Sequence, residues 1–521
     1  MPLQINNRFS TELPADTDTT NTTRQVLQAC FSYVTPRIPS NPSWIHYSPE
    51  VGALIGLTEE ELQSEEYLNY LSGKTILNGT QPYAMAYAGH QFGNWAGQLG
   101  DGRAIILTEV VHNNQQYTLQ LKGAGSTPYS RRADGLAVLR SSIREHLCSE
   151  AMHYLGIPTT RSLSLILTGD EVLRDMLYDG HPALEKGAVV CRVAPSFIRF
   201  GSFELFASRD DIPNLKRLTD YTIQHHFPQI KGFGKEQYIT FFQTVAQTTL
   251  KMILHWQRVG FVHGVMNTDN MSIHGITIDY GPYGWLDDFN LNWTPNTTDR
   301  EHGRYRYGSQ PEIALWNLYQ LANALYPLID EAAPLEAVLN QYKVDYDKQY
   351  NAMMRSKLGL LTPIEEDVVL IEELIQTLQF EEIDMTLFYR NLSKINQKTS
   401  IEEALATIEG AFYNSPRLIN ETSQLWADWM ATYLLRLQKE TTSNDDRIIQ
   451  MNAVNPKYVL RNYMAQLAID AANQGDYSVL TELYKVLQNP YSEQVENEKW
   501  FAKRPDWARN KVGCSMLSCS S

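Results

Sequence analysis

Three polar side chains stand close together in a stretch that is otherwise apolar. Asp269 and Asn270 end the run Gly260-Phe-Val-His-Gly-Val-Met-Asn-Thr-Asp-Asn270, and Asp279 follows in Thr277-Ile-Asp-Tyr-Gly281. The apolar approach to His263-Gly264, the polar loop and a short strand expected to end at Asp279 would set them on the two arms of a compact turn. A carboxamide and a carboxylate so placed can converge on one hard cation. Mg²⁺ takes oxygen ligands, commonly one or two carboxylates, and leaves its other positions to phosphates and water. Asp269 is the remaining carboxylate of the loop and the candidate proton acceptor. The plain alternative is a polar turn, since Asp and Asn are common turn residues.

Protein kinases build a metal site from such a loop asparagine and an Asp-Phe-Gly aspartate, with the base five residues before the asparagine. Here that position is Val265, which cannot accept a proton. A nucleotide site therefore needs phosphate-handling groups elsewhere in the chain. Gly97-Gln-Leu-Gly-Asp-Gly-Arg103 precedes a strand-like Ala104–Val110, and Tyr117–Lys122 alternates as a second strand. Glycines such as Gly100 and Gly102 let backbone amides approach phosphates, although most glycine-rich hairpin ends are only turns. Lys122 on an alternating strand would most often face solvent.

Asp134-Gly135 is expected to open a helix reaching about Leu155, with Asp134 as its N-cap and phosphate favoured at its N-terminus. Leu136, Leu139, Ile143, Leu147, Ala151 and Tyr154 form the main apolar stripe. Glu145 projects from the opposite side and needs a partner; Lys122 is the attractive one, with Glu150 the rival carboxylate. Arg192 and Arg199 lie among apolar residues in Cys191–Gly201, which implies either salt bridges or an anion pocket. Both readings stand. His90 reads as a packing histidine, and Asp287-Asp288 as a solvated turn before a metal site.

Around these groups the chain divides into an N-terminal extension (1–80), a segment with the glycine-rich loop (81–205), a segment with the catalytic and metal loops (206–330), and a mostly helical C-terminal region (331–521). Trp426, Trp429 and Tyr433 fall at helical spacing and read as core. Lys plus Arg number 44 against 59 Asp plus Glu, a formal charge of −15, which argues against a general nucleic-acid or anionic-membrane binder. No apolar run approaches the ~20 residues of a membrane span. Five cysteines in 521 residues make no disulfide framework, and a cytoplasmic protein is expected.

Taken together, these motifs resemble the selenoprotein O family, protein adenylyltransferases with a protein-kinase-like fold. The resemblance spans nearly the whole chain through Gly89-His-Gln-Phe-Gly93, Leu99-Gly-Asp-Gly-Arg103, Leu119-Gln-Leu-Lys-Gly-Ala-Gly125, Tyr129-Ser-Arg-Arg-Ala-Asp-Gly135, Arg192-Val-Ala-Pro-Ser196, His263–Met271, Asp279-Tyr-Gly-Pro282, Asn455-Pro-Lys-Tyr458 and the Cys-Ser-Ser end. It implies an α+β fold with a two-lobed kinase-like core, an N-terminal extension and a helical C-terminal extension. ATP would be bound by Gly100, Gly102, Arg103, Lys122, Asp134, Gly135, Arg192, Arg199 and Asp279. Asp269 would accept the proton, Asn270 and Asp279 would hold Mg²⁺ (with Mn²⁺ as the alternative), and Glu145 would pair with Lys122. AMP would pass to Ser, Thr or Tyr hydroxyls of protein substrates, with the nucleotide reversed relative to kinases.

The family's tail cysteine is redox-active in many members, which makes Cys519 a candidate, with Cys514 as one possible partner. A cysteine three residues before Cys519, seen in some members, is replaced by Met516, and Pro295 stands where some bacterial members carry another. Two other functions fit the same residues: an Mg²⁺–ATP protein kinase using Asp269 as base, and a catalytically silent nucleotide-binding pseudokinase scaffold.

Overall fold

A computed structural model describes residues 3–176, 180–414, 421–514 and 516–518. Its strands are β1 (Phe31–Tyr33), β2 (Ser43–Tyr47), β3 (Tyr83–Met85), β4 (Ala88–Gln91), β5 (Asn94–Gln98), β6 (Ala104–His112), β7 (Gln115–Lys122), β8 (Ala137–Val138), β9 (Arg161–Arg174), β10 (Ala183–Ala194), β11 (Phe261–Val262) and β12 (Gly284–Trp285). One eight-stranded sheet has the order β1-β3-β6-β7-β10-β9-β2, with β8 paired to β10. All its pairings are antiparallel. The fold is therefore mixed, an antiparallel sheet followed by many helices.

The alternation expected over Tyr117–Lys122 does not appear in the burial along β7; from Thr118 onward every residue is buried. Both faces of the sheet are covered. On one, Ile106 and Val190 join Leu139, Ile143 and Leu147 of the Leu139–Tyr154 helix in one core. On the other, Ile105, Leu119 and Leu121 join Val51, Leu62 and Tyr70 from the short helices before residue 72. Residues 1–80 thus do more than extend the chain: β1 and β2 form the two edges of the sheet, and the short helices after β2 cover a face. Edge strands pinned by an N-terminal segment leave fewer unpaired backbone groups open.

The helix expected from Asp134 begins later, at Leu139, with Val138 as its N-cap. Ala137 and Val138 are instead taken up as β8 against β10. Sheet pairing satisfies backbone groups that would otherwise have entered the first helical turn. Asp134 is therefore not the N-cap, and no helix N-terminus stands at that position.

Beyond the sheet, the Lys235–Val259 helix ends at Gly260 in the left-handed conformation and leads into β11, which pairs with β12. The loop between them carries residues 263–283, with a 3-10 turn at Thr268–Asn270. Helices from Gln310 to Leu487 build the rest, and Trp426, Trp429 and Tyr433 lie in a second core as their spacing implies. No helix of the described residues is long and apolar enough to cross a membrane.

Asp287 and Asp288 are not a solvated turn; arginines hold both carboxylates. Asp287 is buried against Arg461 (3.2 Å) and Arg504 (3.5 Å), and Asp288 pairs with Arg504 at 3.0 Å. Arg461 also grips Asp384, which caps the Met385–Leu392 helix, so the network ties the C-terminal helices to β12. Replacing Arg461 by Met should leave two carboxylates buried with too few partners, a loss of about 3–5 kcal/mol. Equilibrium denaturation of the variant measures it, and a loss below about 1 kcal/mol would contradict this account.

Candidate active site

The sheet, the loops at its end and the β11–β12 loop enclose a cleft of about 680 Å³. Gly100, Gly102, Arg103, Lys122, Asp134, Gly135, Arg192, Asp269, Asn270 and Asp279 all line it. Ten of the sequence-predicted residues, spread over nearly two hundred positions, thus face one space. Glu145 and Arg199 stand behind its wall, and Cys519 lies outside the described residues.

Strand register positions the basic groups. Lys122 is the last residue of β7, opposite Ala104 and Val190, and Arg192 on β10 lies opposite Gln120. Lys122 is only 8% exposed, against its expectation as a solvent-facing residue, because the sheet is covered on both faces. Its Nζ meets Glu145 Oε2 at 2.7 Å; the rival Glu150 is engaged by Arg161 at 2.7 Å. Burial lowers the Lys122 pKa, and Glu145 opposes that shift.

Arg192 and Arg199 are each 1% exposed and converge on Asp279. Arg192 Nη1 donates to Asp279 Oδ1 at 2.6 Å and to Glu145 Oε1 at 3.0 Å, and another of its nitrogens donates to Gln120. Arg199 Nη1 donates to Asp279 Oδ2 at 2.5 Å and to the Asp269 carbonyl at 2.7 Å. Burial disfavours the charged form of Asp279, but Arg199, Arg192 and Lys122 outweigh it and hold the carboxyl far below the usual range. Of the two readings left open, these contacts are the salt bridges. Arg192 Nε and Arg199 Nη2 nevertheless stay buried without a hydrogen bond.

Asp279 sits at φ +56° rather than at the end of a strand; only Thr277 before it makes a bridge, to Thr159. Asp269 is buried, and Gln91 Nε2 donates to its Oδ2 at 3.2 Å while Oδ1 has no partner. Burial pushes the Asp269 pKa up to about 7, against the opposing pull of Gln91 and Arg199. Asn270 Nδ2 donates to the Val265 carbonyl at 2.8 Å, which leaves its Oδ1 as the free acceptor. The free oxygens of Asn270 and the carboxylate of Asp279 suit a hard cation that completes its shell with phosphate oxygens. Among the described residues no three or more His, Cys, Asp or Glu side chains cluster as a cage, which such a cation does not require.

The glycines have a reason that the loop pattern did not disclose. At Gly100 (φ +131°) a Cβ would run into the Tyr129 ring, and at Gly102 it would sit 2.9 Å from the Tyr129 carbonyl oxygen. Gly135 (φ +73°) faces the Gly125 carbonyl more closely still. The 99–103 and 123–135 loops are pressed together at the rim of the cleft, and only glycine permits it. Asp134 accepts from Leu136 N at 3.0 Å and pairs with Arg174 at 2.7 Å.

Sequence reasoning missed Arg174, Asp101 and Gln91. Asp101 is buried beneath the loop, where burial pushes its pKa up to about 6 against the pull of Arg199, 3.8 Å away. Gln91 belongs to β4, whose Gly89 lies so near the 3-10 turn that a Cβ would sit 2.9 Å from Thr268 Oγ1. His90 packs as expected, on Trp95, Trp316 and Glu204, and its backbone N–H also bonds Thr268 Oγ1 at 2.7 Å. The paired glycines of Gly89-His-Gln-Phe-Gly93 were the available signal of that close approach.

Near the C-terminus, Leu517 bridges to Asn296, and Asn296 Nδ2 donates to the Gly264 carbonyl at 3.0 Å, so this segment reaches the β11–β12 loop through one residue. Cys514 is buried and unpaired among the described residues.

A family model described as "Protein adenylyltransferase SelO" matches residues 16–488. The chain is 65% identical over 519 residues to the "Protein nucleotidyltransferase YdiU" of Flavobacterium johnsoniae, covering 100% of this chain and 99% of that one. Proteins of the same description from Rhodopirellula baltica and an Azoarcus species are 54% identical over 536 residues and 53% identical over 521, each with 100% of this chain covered and 99% and 100% of their own.

Gly135→Ala should strain the left-handed backbone and force residues 125–126 of its own loop away, costing about 1–3 kcal/mol. The matching loss of nucleotide-induced thermal shift should exceed that of Gly475→Ala, an exposed glycine at φ +85° with open space around it. Equal losses in the two variants would refute the role given to loop packing.

Proposed function

The chain belongs to the SelO family of protein adenylyltransferases, and from that premise we propose that it transfers AMP from ATP to Ser, Thr or Tyr hydroxyls of proteins and releases pyrophosphate. The observation that carries this reading is the position of a free carboxylate oxygen in the cleft. Asp269 Oδ1 is buried, unpartnered and beside Asn270 and Asp279, whereas the position that serves kinases as base is Val265.

The arrangement also supports a protein-kinase-like core. A strand lysine paired with a helix glutamate, and a loop asparagine followed by an aspartate, recur in that order in kinases. On this reading Asp269 takes the proton of the attacking hydroxyl, and a pKa near 7 suits a base at neutral pH. Gln91 holds Oδ2, so that Oδ1 is the oxygen left to reach the hydroxyl. Lys122, Arg192 and Arg199 gather about Asp279 and would hold the β and γ phosphates, the group that leaves. Phosphate oxygens offer the two guanidinium groups an alternative acceptor to Asp279, with which they are paired here. Asn270 and Asp279 would hold Mg²⁺, or Mn²⁺, which when bound neutralises charge on the phosphates. Gly100, Gly102, Arg103, Asp134 and Gly135 would border the nucleotide at the rim, with Arg174 holding Asp134. A cytoplasmic location agrees with the acidic composition.

Reactions run in parallel with ATP labelled at the α or the γ phosphorus test the chemistry. Label on protein from the α position alone is expected; label from γ alone would mean a kinase, and none from either a silent scaffold. Lys122→Met should lower kcat by roughly 10²–10³-fold, as loss of one preorganised donor does. Glu145 keeps Arg192 as a partner in that variant, so its melting temperature should stay near that of the parent. A variant that unfolds outright, or one that keeps full activity, would remove Lys122 from the proposed phosphate clamp.

A further inference from the structure

An open groove of about 480 Å³ lies between the Gln310–Ile329 and Ala332–Leu358 helices. Leu315, Trp316, Tyr319 and Leu339 give it an apolar floor, with Tyr319 53% exposed. Glu312 and Glu336 stand at its sides with Lys343, and none of the three has an ion pair among the described residues. Exposed aromatic faces beside unpaired carboxylates form a surface that suits a cation carried on an apolar segment.

The groove is fastened to the catalytic loop. Gln310 exchanges hydrogen bonds with the backbone of His263 (3.0 Å) and Phe261 (2.9 Å), and Asn317 Nδ2 donates to the Met266 carbonyl at 2.9 Å. Trp316, next to Asn317, packs edge-on against His90 with ring centroids 5.4 Å apart. The Arg304 guanidinium lies 4.6 Å from the Trp316 ring, and a Cβ on Gly93 would come within 3.2 Å of it. His90 bonds Thr268, and Gln91 beside it bonds Asp269. Trp95, 45% exposed, continues the aromatic surface from His90 across the β4–β5 hairpin. A continuous wall therefore runs from the groove to the side chain proposed as base, and neither the nucleotide nor its phosphates has any use for it.

We propose that this groove seats the stretch of the acceptor protein adjoining the modified hydroxyl. It takes an aliphatic or aromatic side chain between Leu315 and Leu339 and a Lys or Arg between Glu312 and Glu336. The inference rests on the reading that protein hydroxyls are the acceptors. Within the groove the two carboxylates outnumber Lys343, and the exposed Tyr319 ring attracts the same cation while Trp316 already carries Arg304, so the preference is for basic segments. Acidic segments meet repulsion there, which gives the enzyme selectivity without a deep pocket.

Synthetic peptides with a single serine test this, in three sets that carry Leu together with Lys, Ala or Glu near the serine. Transfer from ATP labelled at the α phosphorus gives kcat and KM, and calorimetry gives binding in the absence of ATP. The parent enzyme should show a KM for the Lys set roughly tenfold below that for the Glu set, a difference of about 1.4 kcal/mol. Glu336→Lys should reverse that order while kcat at saturation and the thermal shift with Mg²⁺–ATP stay unchanged. Tyr319→Ser should weaken binding of all three sets. Equal KM values for the sets in the parent, or an unchanged order in Glu336→Lys, would overturn the groove and leave adenylyl transfer standing. The predicted order with label arriving only from the γ phosphorus would sustain the groove and overturn the reaction. Absence of both binding and transfer for every peptide would overturn this assignment of the groove.

Discussion

Asp279 held between Arg192 and Arg199 is the contact on which the rest of the cleft depends. All three side chains come from different parts of the chain, β10, the segment after it and the β11–β12 loop, and two of them are almost wholly enclosed. A buried guanidinium without a carboxylate is costly, and a buried carboxylate without a cation equally so. Each therefore fixes the others. Asp279 adopts a left-handed backbone, uncommon for a residue with a side chain, and that strain persists because both its oxygens are held. Arg199 adds a bond to the Asp269 carbonyl, so the same guanidinium orients the loop that carries the proposed base.

How much of this was legible follows from where the partners lie in sequence. The Lys122–Glu145 pair could be read in part: helix rotation sets Glu145 off the apolar stripe and leaves it needing a cation, but it did not exclude Glu150, which the fold gives to Arg161. The Asp269, Asn270 and Asp279 grouping could be read because those residues are neighbours along one loop. Arg174 could not, since its bond to Asp134 spans 40 positions and neither residue's surroundings call for the other. The same holds for Gln91 and Asp269, 178 positions apart. The start of the Leu139–Tyr154 helix was misplaced for a different reason. Asp-Gly is a good local signal for a helix N-terminus, but β10 offered residues 137 and 138 a ladder, and tertiary pairing overrode local preference.

The fold was legible in class and less so in closure. Strands at 104–122 and 160–193 and the long C-terminal helices follow from periodicity. That the polar first eighty residues supply both sheet edges does not, because β1 and β2 are three and five residues long and carry little pattern of their own. Their strand character is conferred by the edges they meet. With both faces covered, the basic end of β7 and β10 is removed from water, and that burial turns Lys122 and Arg192 from ordinary surface cations into parts of a site.

Charge count then constrains the chemistry. Lys122, Arg192 and Arg199 face Glu145, Asp279 and Asp101, three cations against three carboxylates in one buried cluster. Such a cluster is near neutrality without a ligand, and a bare triphosphate would upset it in one direction as surely as a bare divalent cation would in the other. A metal–nucleotide complex changes it least. On the proposed reading, the carboxylate that the arginines share is then drawn towards the metal, and the guanidinium donors turn to phosphate oxygens. Those donors gather about Asp279, and Arg199 also bonds the Asp269 carbonyl. Negative charge building on a departing pyrophosphate would be met there. On the proposed reading, that gathering of cations at one carboxylate, more than any single residue, favours pyrophosphate as the group that leaves.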